Sequence, residues 1–349
     1  MERTCRHIIP NVELMDGRAL VRMTDQVPLF LQVQHLIPMR ENQTQVTEFV
    51  LVGFSAFPDL QGVLFVVFLF MYLMTLAGNL AIMAVIWTDR HLHTPMYLYL
   101  GALSFSETCY TFVIIPKALV DLVSEGRIIS LTGCVAQMFF FLGLGSTNCA
   151  ILIVMGYDRY LAICHPLRYG RLMSLHVFVK LVVGSWISGF LVSLVETTLI
   201  FQSPFCRSNI INHFFCHMRP VLSLACIDSS TIEVAVSMIS MLGLSGSFLL
   251  IVLTYLLILG TIVQLPSASG KREKAFSTCA AHLTVVVMHF GFASIIYLKP
   301  SPRGSMEEDT LMSMPYTILT PFLSPMIFTL RNKEMKIALR KAFGKRIFS

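Results

Sequence analysis

The sequence predicts an all-α membrane protein, a seven-transmembrane helix bundle followed by a short amphipathic eighth helix. Seven windows carry little or no charge, and each can cross the roughly 30 Å of bilayer hydrocarbon as a helix. Hydrophobic residues make up 55% of the chain and charged ones only 13%, with a mean hydropathy of +0.71, too apolar for a soluble domain of 349 residues. After the last window, Met335, Ile337, Ala338, Leu339, Ala342 and Phe343 alternate with basic residues, which suits a helix lying on a membrane surface.

Residues 1–61 are read as an extracellular amino-terminal segment, 62–330 as the bundle and 331–349 as a cytoplasmic tail. The first 38 residues are mixed in character and lack an apolar core with a small-residue cleavage site, so the first span serves as its own insertion signal. The windows run Gly62 to Ile86, Pro95 to Val120, Cys134 to Tyr157, Val177 to Leu199, Val234 to Val263, Ala275 to Leu298 and Thr310 to Leu330. The fourth is the weakest, because Lys180 and Glu196 bracket only fifteen uncharged residues and must snorkel if the segment is to span. It is counted because its removal would invert every later loop.

An odd number of spans puts the termini on opposite sides. With the amino terminus outside, the inner segments carry fourteen Lys and Arg, seven of them after Leu330, and the three outer loops carry five. Basic residues concentrate on the cytoplasmic side, so this orientation is preferred for a multi-pass plasma membrane protein. The net charge of +6 belongs to these flanks rather than to a folded basic face, which argues against nucleic acid as a partner and for contact with membrane lipid. Asn42-Gln43-Thr44 is the one glycosylation acceptor in the chain and falls on the outer side.

Nine cysteines are too few and too dispersed for a disulfide scaffold, and no Cys-x-x-Cys pair suggests a metal. Cys134, Cys206, Cys216 and Cys226 lie on the outer side, where oxidation is permitted. No Gly-x-Ser-x-Gly, His-Glu-x-x-His or phosphate-loop pattern is present, so neither an enzyme nor a cofactor is expected. A transporter of small molecules is the alternative from another class; the odd span count and the lack of detectable halves speak against it.

Six motifs occur in order. They are Thr47 to Phe54 ahead of the first span, Gly78-Asn79 within it, Pro95-Met96-Tyr97-Leu98 opening the second, and Met155-Gly156-Tyr157-Asp158-Arg159-Tyr160 closing the third. Lys274 to Cys279 enters the sixth, and Leu330 to Glu334 with Ala338 to Lys341 follows the seventh. Together they resemble a rhodopsin-like (class A) G-protein-coupled receptor and, more narrowly, a vertebrate odorant (olfactory) receptor, over about residues 39 to 346. Several positions depart from the family pattern. Glu107 replaces an Asp, Asn148 a Glu, Ser324-Pro325-Met326-Ile327-Phe328 an Asn-Pro-x-x-Tyr, His289-Phe290-Gly291 a Phe-Tyr-Gly, and Ala281-His282-Leu283 a Ser-His-Leu.

The resemblance implies a small volatile odorant as ligand and a heterotrimeric G protein of the stimulatory, olfactory type as partner. It also implies two disulfides, Cys134 to Cys216 and Cys206 to Cys226. His213, Cys216 and His217 lie close enough to suggest a metal, but a cysteine in a disulfide supplies no thiolate, so a structural role is preferred. Asp158, Arg159, Tyr160 and Tyr255 form the expected G-protein switch: Arg159 is held by Asp158 at rest and swings toward Tyr255 on activation. Arg suits this because it stays charged and presents a planar fork of donors; the plainer reading is an interfacial anchor pair. Asn79, Glu107 and Asn148 are intramembrane polar groups that should face one another or water.

Ligand contacts are expected in the outer half of the bundle. Phe141, Leu142, Gly145 and Ser146 lie below Cys134 on the third helix, with Ile239 and Gly243 on the fifth and Phe290, Ala293, Ser294 and Tyr297 on the sixth opposite them. These residues make a mostly apolar pocket without Lys or Arg, unsuited to an anionic ligand. Ordinary packing of small residues between helices is the competing explanation.

Overall fold

The computed structural model of the protein describes residues 46–55, 58–206, 208–226, 229–264, 271–298 and 306–347, of which 271–278, 297–298, 306–309, 343 and 345–347 are described by backbone alone. Six rods are single helices: α1 (Gln61–Thr88), α2 (Pro95–Val123), α3 (Leu131–Cys164), α4 (Leu175–Phe201), α5 (Ser230–Val263) and α6 (Lys271–Leu298). The seventh, α7, joins a helix Met306–Met314, a π-helical turn Pro315–Leu319 and a helix Thr320–Arg331. A last helix, α8, covers Lys333–Ile347. Among the described residues, seven helices are long and apolar enough to cross a membrane. Helix is the form such segments must take, since hydrocarbon offers no partner for a free backbone N–H or C=O.

Local sequence sets the helix ends. Ser130 Oγ accepts the Gly133 N–H at 3.0 Å to start α3, and Ser174 Oγ does the same for Val177 at 3.4 Å to start α4. Pro95 opens α2, where its missing N–H costs nothing. Asn332 Oδ1 accepts the N–H of Glu334 at 3.1 Å and of Met335 at 3.3 Å, capping α8. Met335 and Ala338 of α8 are then buried in the same apolar cluster as Ile82 of α1 and Phe328 of α7, while Ile337 is exposed.

The bundle is apolar on its outside. Leu242, Leu249 and Leu256 recur every second turn along α5 as an exposed stripe, whereas Thr75, Asn79, Ser104, Glu107 and Thr147 are buried between helices. The most apolar stretch of α3 is 61% buried against 11% for α1 and 17% for α4, which makes α3 an axis of the bundle. Glycines allow α4 to lie against it: a Cβ on Gly189 would come 2.7 Å from the Gly143 carbonyl oxygen, and one on Gly143 would come 2.8 Å from the Phe190 ring.

One end of the bundle carries a small sheet that an all-helical reading does not include. Strands β1 (Glu48–Leu51), β2 (Ile128–Ser130) and β3 (Ile210–Ile211) lie in the order β2-β1-β3, with β1 antiparallel to β2 and parallel to β3. Phe49 and Leu51 alternate inward onto Cys134, Met138 and Cys216. The chain then turns at Gly53, whose φ of 38° and close approach to Phe214 both disfavour a side chain.

The fourth span also differs from its expected form. The helix of α4 continues through both charges that bracket the window; Lys180 is exposed, but Glu196 is only 2% exposed. Glu196 therefore does not snorkel. It points inward.

Candidate functional site

A cavity of about 250 Å³ lies between α3, α4 and α5, closed by Ala293 of α6 and Tyr316 of the π turn. Phe141, Leu142, Gly145, Ser146, Ile239, Gly243 and Ala293 line it. Phe290 and Ser294 are not on its wall. The Phe290 ring packs 5.6 Å from Phe248 in the apolar core, and the Ser294 hydroxyl donates back to the Phe290 carbonyl at 2.7 Å. The side chain of Tyr297 lies outside the described residues.

The α4 wall is not among the residues expected from sequence. Ser188, Gly189, Val192 and Glu196 recur at helical spacing along it, and the signal that marks them is an acid at the edge of an apolar run. Cys149 and Tyr316 were not expected either. They link the cavity to α6, because Cys149 Sγ lies 3.3 Å from His289 Nε2 and the Tyr316 ring 5.2 Å from the His289 ring.

The segment between α4 and α5 folds over this end of the bundle. Disulfides join Cys134 to Cys216 and Cys206 to Cys226, with Cα atoms 5.5 and 5.2 Å apart. Gln137 fixes the loop further, accepting the Cys216 N–H at 2.9 Å while donating to the Val113 carbonyl at 3.1 Å. Phe215 of the loop packs 4.8 Å from Phe141. His213 is buried 3.1 Å from the Ser313 hydroxyl, which ties the loop to α7, and stacks on Phe214 and His217. Burial, reinforced by the neighbouring His217, pushes the His213 pKa well below its usual value, so the ring is neutral.

The opposite end holds Asp158 and Arg159. Arg159 Nη2 donates to Asp158 Oδ2 at 3.0 Å, and the Tyr169 hydroxyl donates to Asp158 Oδ1 at 2.7 Å. Both charged side chains are buried. Burial and the Asp158 carboxylate raise the Tyr169 pKa, keeping its proton available for that bond. The expected switch residues fall into separate pairs. Tyr255 of α5 shares a 2.6 Å hydrogen bond with His282 Nδ1 of α6, and the Tyr160 hydroxyl lies 3.1 Å from His165 Nε2. Tyr97 of α2 donates to Asn332 at 3.3 Å, joining α8 to this end.

Between the two ends, Glu107 faces Asn79 and Ser324. Both Asn79 side-chain atoms, Ser324 Oγ and Asn148 Oδ1 are buried, and Glu107 lies close enough to Asn79 and Ser324 for both to act on its carboxyl. Ser324 belongs to this polar group although the sequence singled it out only as a departure from the family pattern. Asn42 lies outside the described residues.

Residues 68–346 match the family profile described as olfactory receptor. The chain belongs to the olfactory receptor family. Its relatives include human olfactory receptor 10X1, 58% identical over 91% of this chain and 96% of that protein, and human olfactory receptor 10H1, 54% identical over 88% and 97%. Mouse olfactory receptor 10H28 is 50% identical over 88% of this chain and 98% of its own length. In fold, this olfactory receptor is similar to squid rhodopsin, with a TM-score of 0.69 over 83% of the chain and 87% of rhodopsin at 15% identity. It is a multi-pass plasma membrane receptor of a signalling, non-enzymatic class, and the transporter alternative is not favoured.

Proposed function

We propose that this olfactory receptor binds a small, mostly apolar volatile molecule in the cavity between α3, α4 and α5 and, in response, activates a stimulatory, olfactory-type G protein that raises cyclic AMP. The observation that carries this reading is continuity along α3: the cavity wall at Phe141 and Gly145 and the Asp158–Arg159 pair lie on one helix at the core of the bundle. The disulfide end faces outward and the Arg159 end the cytosol, in keeping with the distribution of basic residues. Asn42 is then on the outer side and carries glycan.

The route from ligand to partner runs through α6. A molecule in the cavity meets Cys149 and Tyr316, both against His289. Two turns further along α6, His282 is bonded to Tyr255. A ligand favouring a shifted α6 loosens that bond, lets the Arg159 ends of α5 and α6 part, and frees Tyr255 to receive Arg159. The guanidinium then caps carbonyl groups at a helix end of the G protein.

The test is a panel of volatile compounds applied to cells expressing chains begun at Met1 and at Met39, with cyclic AMP and surface labelling read together. Ligand-dependent cyclic AMP without flux of the compound is the expected result. Flux without cyclic AMP would replace the receptor reading with transport.

A further inference from the structure

We propose that Glu196 makes the cavity selective for small apolar molecules bearing a protonated amine, held between its carboxylate and the Ser240 hydroxyl. The inference rests on the odorant-binding reading above and narrows its ligand class. Glu196 is 2% exposed on α4, yet it is one of the residues that line the cavity. Its Oε1 accepts from Ser240 Oγ of α5 at 2.6 Å, and Ser240 lines the same cavity. Oε2 receives no hydrogen bond from the described residues. Among the described residues, no Lys, Arg or His lines the cavity and no ion pair involves Glu196.

A carboxylate withdrawn from water is costly unless a cation and hydrogen bonds offset the lost hydration. The described residues supply one hydroxyl and no cation. An empty site can meet that cost by holding a proton on the acid, whereas an ammonium group supplies the charge that stabilises the carboxylate and carries N–H donors for its second oxygen. The rest of the wall, with Phe141, Val192, Ile239 and Leu244, takes an apolar body. At about 250 Å³ the space is below the size of drug-binding pockets, which fits a volatile amine rather than a larger base. A matched alcohol fills the same volume but brings no charge, so it offsets less.

The experiment compares phenethylamine, cyclohexylamine and octylamine with phenethyl alcohol, cyclohexanol and octanol on cells expressing the full chain, reading cyclic AMP against surface label. At least one amine should act at lower concentration than its alcohol. Glu196→Gln should lower the amine-to-alcohol potency ratio about tenfold or more, in line with losing a hydrogen bond to a charged group. Glu196→Asp should restore part of it. Equal potency of amines and alcohols, or a ratio unmoved by Glu196→Gln, overturns amine selectivity and leaves odorant reception standing. Should all six compounds be silent, thermal stabilisation of the purified receptor decides: stabilisation by phenethylamine that is lost in Glu196→Gln supports the assignment, and its absence overturns it. Failure of the receptor reading is a separate result, seen when no volatile of any class raises cyclic AMP above the level of surface-matched Arg159→Ala.

Discussion

The hydroxyl of Tyr255 and Nδ1 of His282 lie 2.6 Å apart, joining α5 to α6 close to the end where Asp158 holds Arg159. Their rings also stack at 5.7 Å. In the proposed mechanism this pair clamps the two helices that part to admit the G protein. His282→Phe keeps an aromatic ring but removes the bond, and a bond of this kind contributes about 0.5–1.5 kcal/mol. We predict ligand-free cyclic AMP rising roughly twofold to tenfold at matched surface expression, since about 1.4 kcal/mol is a tenfold population change. Unchanged or lower basal signalling would show that the clamp does not hold the resting state.

The loop over the cavity is predicted to make stability depend on pH through His213. His213 is neutral when folded, because burial depresses its proton affinity below that of the unfolded chain. As pH drops below the usual value of 6.5, the unfolded loop takes up a proton that the folded one refuses, so stability falls until the pH passes beneath the folded-state value. Thermal unfolding of the purified receptor should therefore weaken between neutral pH and pH of about 5. His213→Gln should flatten this slope. A wild-type slope that the variant reproduces would assign the effect to other groups.

Contact between α3 and α4 depends on having no side chain at Gly189. A Cβ there would lie 2.7 Å from the Gly143 carbonyl oxygen, and the backbone has no free side-chain end with which to yield. Gly189→Val is predicted to cost about 1–3 kcal/mol by overpacking, a large fraction of the stability of a marginally stable protein. The readout is the fraction of receptor at the cell surface, compared with Gly184→Val, where a Cβ meets nothing within 4 Å. Equal surface levels for both would contradict the close approach.

The bundle was legible because lipid imposes one rule on every span: a long run without charge must be helical. The same rule misplaced the ends. It stopped the third span at Tyr157, since Asp158 is charged, although backbone hydrogen bonding carries α3 on to Cys164. The small sheet was not legible, because β1 pairs with strands far along the chain and no local pattern announces that. Of the cavity, the α3 and α5 walls follow from counting turns. Glu196 does not: an acid at the edge of an apolar run is the same in sequence whether it turns to water or inward, and packing against α5 through Ser240 decides it. Phe290 shows the opposite error, a residue on the expected helix whose ring is used by the core.

In the proposed mechanism a molecule bound between α3, α4 and α5 acts through Arg159. The most direct measurement pairs ligand binding with signalling in Arg159→Ala, using the most potent volatile found for the wild-type chain. The expected result is wild-type surface expression and retained ligand-induced thermal stabilisation, with ligand-driven cyclic AMP abolished. A normally signalling Arg159→Ala receptor would contradict it.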